Sequence, residues 1–219
     1  MKNVKTRPRG RPRALDKDEA LETALQLFWR HGYEGTSIAE LTAAMGVTPP
    51  SLYTTFGSKE RLYQEALDRY GASYGSFAAR ALAEEPTALQ AVARILREAV
   101  AVYSEGPEPR GCMLTTGAVA CGVEHRDVSA DLAKRRRAAI AAIKERFDRA
   151  VREGELGRST DTGALAAYFA AVVQGLAIQA HDGVAAEALE AMANIALCAW
   201  PKTSRDGTTR PASHRPRSK

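Results

Sequence analysis

The stretch Thr36-Ser-Ile-Ala-Glu-Leu-Thr-Ala-Ala-Met-Gly-Val-Thr-Pro-Pro-Ser-Leu-Tyr-Thr-Thr-Phe56 reads as two short helices separated by a tight turn. Ile38, Leu41 and Met45 form one apolar stripe in the first helix, and Ser37 or Thr36 is placed to cap its N-terminus. Gly46 suits the left-handed conformation that closes a helix, with Val47 packing back under the turn. Thr48 supplies a second N-cap, and Pro49 sits at a first helical position, where no donor is needed. The second helix is predicted from Pro49 to about Phe56. Leu52 and Phe56 lie on its inner face, with Ser51, Tyr53, Thr54 and Thr55 mostly elsewhere.

Two helices joined by a short Gly-containing turn make a helix-turn-helix, whose second helix can lie in the major groove of DNA. The same pattern also describes an ordinary helical corner, and the flanks decide between them. Upstream, Asp16 and Glu19 have capping-box spacing and open a helix with Leu21, Leu25, Phe28 and Trp29 on one face. His31-Gly32 closes it. That face should cover Ile38, Leu41, Leu52 and Phe56 in a three-helix core. Downstream, Gly57-Ser-Lys-Glu-Arg-Leu-Tyr63 opens a further helix with Ser58 as N-cap. Lys59 lies at its start, where the helix dipole disfavours a cation, and so points to an external anion.

The segments HGYEGTSIAELTAAMGV and SLYTTFGSKERLY, following that first helix, resemble the N-terminal DNA-binding domain of TetR-family transcriptional regulators. The resemblance covers about Asp16 to Tyr70, and Leu52-Tyr53-x-x-Phe56-x-x-Lys59-Glu60 is its most specific part. It implies phosphate or base contacts from Thr36, Thr48, Tyr53, Thr54 and Lys59. Ser37, Pro49, Pro50 and Ser51 complete the expected DNA-facing set. Pro49-Pro50 departs from the family, many of whose members carry a small or polar pair there.

The 219 residues are 45% apolar, enough for one or two domains with a proper core, and Ala-rich runs at helical spacing predict an all-α fold. The net charge of +5 is unevenly placed. Residues 1–13 carry +6 and residues 201–219 carry +5, so residues 14–200 sum to −6. Lys5-Thr-Arg-Pro-Arg-Gly-Arg-Pro-Arg13 is a cationic arm broken by Pro and Gly. Its Arg9, Arg11 and Arg13 are expected to meet DNA phosphates or a narrow minor groove, in the manner of an AT-hook. A merely soluble tail is the competing reading. The C-terminal tail is expected to be disordered. The predicted organisation is a basic arm (1–13), a helix-turn-helix domain (14–72), a helical ligand-binding and dimerisation domain (73–200) and a basic tail (201–219).

Beyond residue 72, helices are expected from Pro86 to Tyr103, Met113 to Cys121, Asp127 to Glu153, Asp161 to about His181, and Val184 to Trp200. Gly163–Ala180 approaches the length of a membrane span. Its Gln174, Gln179 and many Ala make it only weakly hydrophobic, so a buried helix is expected instead. Lys134-Arg-Arg-Arg137 reads as a solvated helix face rather than a second nucleic-acid patch.

Small residues at close spacing on the last two helices suit either a dimer interface or packing within the chain: Ala164, Ala167, Ala171 and Gly175 on one, Ala185, Ala188, Met192 and Ile195 on the other, and a dimer is the favoured reading. Dimerisation also suits DNA reading, because two recognition helices about 34 Å apart match a palindrome. A mostly apolar effector cavity is expected among the central helices, with Tyr74, Phe77, Tyr103, Cys112, Met113, Thr116, Phe147, Phe169 and Gln174 as candidate lining and ordinary core packing as the competing reading for any one of them. Cys112 opens a helix next to Arg110. The segment is similar to a Gly-Cys-Leu stretch in a subset of the family, some of whose members sense electrophiles or oxidants through such a cysteine. A buried structural thiol is the alternative.

Three cysteines without metal-type spacing and no signal-peptide pattern lead to an expected reduced, cytoplasmic protein with no cofactor and no metal. No nucleophile elbow, phosphate loop or His-Glu-x-x-His motif points to an enzyme. The favoured class is a homodimeric, ligand-responsive regulator of an operator, expected to be a repressor; the alternatives are a non-specific architectural DNA binder relying on its arms and, behind it, a helical small-molecule enzyme, which turnover of a bound ligand would reveal. A specificity ratio near unity would select the architectural binder.

Overall fold

The computed structural model describes residues 16–106, 111–117 and 122–201, and these contain helices and turns without a strand. Helix α1 (Lys17–Gly35) is opened by Asp16, whose carboxylate accepts the N–H groups of Asp18 and Glu19. It buries Ala20, Leu21, Ala24, Leu25, Phe28 and Trp29. Gly32, at φ 71° and ψ 178°, breaks the helical path where the sequence places the stop. Helices α2 (Ile38–Met45), α3 (Pro49–Phe56) and α4 (Lys59–Ala72) follow. Leu41, Leu52, Phe56, Leu62, Ala66 and Leu67 close against α1, each large side chain contributing about 1.5–3 kcal/mol through burial.

After α4 the chain makes a short 3-10 turn over Tyr74–Ser76 and enters α5 (Phe77–Glu84). Helix α6 (Ala88–Tyr103) begins two residues after Pro86, because Thr87 is its cap and accepts the Gln90 N–H. Next come α7 (Met113–Thr116), α8 (Arg126–Glu153), α9 (Thr162–His181) and α10 (Ala186–Leu197). Helix α7 is a single turn, shorter than expected; residues 118–121 lie outside the described residues.

Helix α6 is central, packing on α5, α9 and α10, while α8 lies against α9. Helix α9 is long and apolar enough to cross a membrane by composition, yet here it packs on α6, α8 and α10. It is not wholly buried as expected, since Ala164, Ala167, Tyr168, Ala171 and Ile178 are exposed. The cationic run on α8 departs from a solvated face as well. Arg135 pairs with Asp68 at 2.7 Å and Asp131 at 2.8 Å, and Arg136 Nη1 donates to the Leu114 carbonyl at 2.7 Å.

Candidate nucleic-acid interface and inner cavity

The joint between α2 and α3 is built from local capping. Ser37 Oγ accepts the Glu40 N–H at 3.1 Å while the Glu40 carboxylate accepts the Ser37 N–H at 2.7 Å. That backbone bond, with a second from the Ser37 hydroxyl, holds the Glu40 carboxyl below its ordinary range. Gly46, at φ 67°, closes α2, and the Val47 N–H returns to the Thr42 carbonyl. Thr48 occupies the N-cap of α3 but makes no side-chain cap bond, contrary to expectation. Pro50 has no N–H at one of the positions a capping hydroxyl would serve, which removes one of the two bonds the Thr48 oxygen could accept there.

Helix α3 buries Leu52 and Phe56 and leaves Thr48, Pro49, Pro50, Tyr53 and Thr54 exposed, with Ser51 half-buried. Tyr53 is 44% exposed, a large ring facing outward beside the smaller exposed Pro49, Pro50 and Thr54. The Thr54 hydroxyl donates to the Pro50 carbonyl at 2.8 Å, so it presents its methyl and oxygen lone pairs rather than its proton. Ser37 lies exposed at the foot of α2.

One expectation needs correction. Thr36 is 0% exposed, and its hydroxyl donates to the Gly32 carbonyl at 2.8 Å. It holds the α1–α2 joint from inside, so its side chain is not a surface contact. Lys59 Nζ sits 4.2 Å from the centre of the Tyr33 ring. This cation–π contact supplies an internal attraction where the helix dipole offers none. Arg9, Arg11 and Arg13 lie outside the described residues.

Between α4, α5, α6, α7, α8 and α9 lies a cavity of about 130 Å³. Phe77, Tyr103, Cys112 and Gln174 line it as expected. Five expected residues do not. Tyr74 packs on Trp29 with ring centres 4.9 Å apart and shares a hydrogen-bond group with Gln26 and Glu22. Met113 is fully buried away from the cavity, and Thr116 donates to the Cys112 carbonyl while its neighbour Thr115 lines the wall. Phe147 and Phe169 pack on each other and on Trp200.

The lining missed from sequence includes Tyr70, Ile95, Leu114, Arg136, Ile140 and Ile143. A helical signal for part of it was present, because Arg136, Ile140 and Ile143 recur four and then three residues apart on α8. Tyr70 Oη donates to Cys112 Sγ at 3.5 Å, and Tyr103 lines the same cavity beside Cys112. Burial first, and the neighbouring Cys112 second, push both phenols well above their ordinary range.

A short strap joins the cavity to the helix-turn-helix. Gly111 accepts the Trp29 indole N–H at 3.0 Å, Gly117 accepts the Tyr33 N–H at 2.8 Å, and Cys112, Leu114 and Thr115 between them face the cavity. Nearby, Tyr33 Oη donates to Glu60 at 2.7 Å, and this bond, before the others, lowers the Glu60 carboxyl.

A helix-turn-helix with an outward aromatic and hydroxylated recognition helix, tied to a helical domain enclosing a cavity, defines a sequence-specific DNA-binding regulator. Residues 20–66 match the model of bacterial regulatory proteins of the tetR family, and residues 88–194 match the tetracyclin repressor-like C-terminal domain. The chain is 31% identical over 195 residues to the HTH-type transcriptional repressor ComR of Escherichia coli K12, covering 89% of this chain and 93% of ComR. It is 32% identical over 120 residues to the repressor BdcR of the same organism, covering 55% and 61% of the two chains. Among solved structures, a cysteine-substituted form of the TetR-family regulator CifR, complexed with 26-base-pair operator DNA, aligns with a TM-score of 0.83 and 43% identity over 87% of this chain and all of that one. The chain belongs to the TetR family of transcriptional regulators.

Proposed function

We propose that this chain is a ligand-responsive repressor that binds a palindromic operator as a homodimer in the cytoplasm, without catalysing a reaction. The observation that carries this reading is the double membership of Tyr70, which closes the last turn of α4 and also forms part of the cavity wall. A ligand that displaces Tyr70 moves α4, and with it the helix-turn-helix of residues 14–72 relative to the effector unit of residues 73–200.

In the DNA-bound form, Ser37, Thr48, Pro49, Pro50, Ser51, Tyr53, Thr54 and Lys59 meet the operator, with Arg9, Arg11 and Arg13 adding phosphate or minor-groove contacts. The dimer forms through α9 and α10. This is supported by the exposure of Ala164, Ala167, Ala171, Ala185 and Ala188 beside Met192 at 40% and Ile195 at 71% exposure. The repressors ComR and BdcR are consistent with repression as its sign.

The test is selection of bound DNA from a random pool with the full-length protein at two salt concentrations. Enrichment of a palindrome is the expected result. Binding without enrichment that collapses as salt rises would replace this reading with an architectural role for the charged arms.

A further inference from the structure

The polar groups around the cavity are unequally committed. Tyr70 directs its hydroxyl to the Cys112 sulfur at 3.5 Å, so it is not open to a guest without breaking that bond, and Tyr103 is a buried phenol with a single proton to offer. Arg136 differs. Among the described residues it makes one hydrogen bond, to the Leu114 carbonyl, and no ion pair, whereas the adjacent Arg135 is held by two aspartates. A guanidinium has five N–H donors in a planar array that matches a carboxylate. Here that array borders walls made by Phe77, Ile95, Ile140 and Ile143, with the Gln174 amide as a second polar group. A half-buried cation against apolar surface, without a carboxylate partner among the described residues, favours an anion brought by a ligand.

Resting on the reading of this cavity as the effector site, we propose that it takes a small apolar monocarboxylate, held by Arg136 through its carboxylate and by the apolar walls through its body. The cavity's size, about 130 Å³, is near the roughly 150 Å³ that accommodates a benzene ring, which sets the body at one aromatic ring or a short alkyl chain. Capture of the carboxylate competes with the Leu114 carbonyl for Arg136. Leu114 lies in the strap whose Gly111 and Gly117 carbonyls hold Trp29 and Tyr33, so the same event loosens the tie between cavity and helix-turn-helix.

Calorimetric titration of the full-length protein with benzoate and hexanoate, against the neutral benzamide and hexanamide, tests the proposal in the wild type, Arg136→Gln and Arg136→Lys. The acids are expected to bind the wild type roughly tenfold more tightly than the amides, a preference lost in Arg136→Gln and reduced in Arg136→Lys. Should Arg136→Gln not fold, Arg136→Lys carries the comparison, and acid affinity there equal to wild type overturns the proposal. Amides binding the wild type as tightly as the acids would overturn the anion assignment while leaving the cavity as an effector site. Binding by none of the four would overturn both.

Discussion

The Tyr33 amide donates to the Gly117 carbonyl at 2.8 Å, joining the DNA-binding helices to the strap that borders the inner cavity. Gly32, directly before it, has φ 71°, and an added Cβ there would stand 3.0 Å from the same Gly117 oxygen. Gly32→Ala therefore combines an unfavourable backbone conformation with displacement of the contact. We expect a loss of about 1–3 kcal/mol by thermal melting, together with weakened operator binding. An unchanged Tm would show that the strap yields freely.

Thr36 and Tyr53 should separate stability from recognition. Thr36→Val removes a buried hydroxyl bonded to Gly32, and is expected to cost about 1 kcal/mol of stability while leaving sequence preference intact. Tyr53→Ala removes an exposed ring and should leave Tm nearly unchanged while lowering operator affinity roughly tenfold. Melting curves and a quantitative binding assay on both variants check the pair; a Thr36→Val variant with altered site preference would restore it to the contact surface.

Ile195 is 71% exposed on α10. Ile195→Asp therefore disturbs little within one subunit but puts a charge into the proposed dimer interface. Sedimentation should show a monomer with native helical content. A persistent dimer would move the interface away from this face.

Tyr70 and Tyr103 are held neutral by burial, with folded-state ionisation raised well above the ordinary phenol range. The unfolded chain releases these protons first as pH climbs past about 10, so the folded state loses stability from there upward and none below. Tm should fall with rising pH in that alkaline window. Tyr70→Phe should flatten part of the decline, and a decline of equal slope in the variant would show that other groups drive it.

The helix-turn-helix was legible because its signals are local: Ser37 with Glu40, Gly46 and Asp16 each act on neighbours within a few residues. The break at Gly32 and the long α8 were legible for the same reason. The cavity was legible only in part, since its wall is assembled from residues far apart in sequence. Phe147 and Phe169 look like lining by composition, yet Trp200 arrives from the end of the chain and closes an aromatic cluster with them. Arg136 was hidden by its company, as four successive cations read as solvent-facing until Asp68 and Leu114 claim two of them. Thr36 was misplaced because motif membership does not distinguish a hydroxyl turned inward from one turned outward.

Pro49 and Pro50 occupy the first turn of α3. A helix normally ends in four amide groups without partners inside the helix, and two proline residues remove two of them. The tip of the recognition helix consequently has fewer amides to strip of water when it docks, and fewer with which to seize a phosphate. Discrimination at that tip falls to side chains, and side chains can be exchanged one at a time without disturbing the backbone that presents them. The same scaffold could therefore be retargeted to a new site by substitutions on α3 alone.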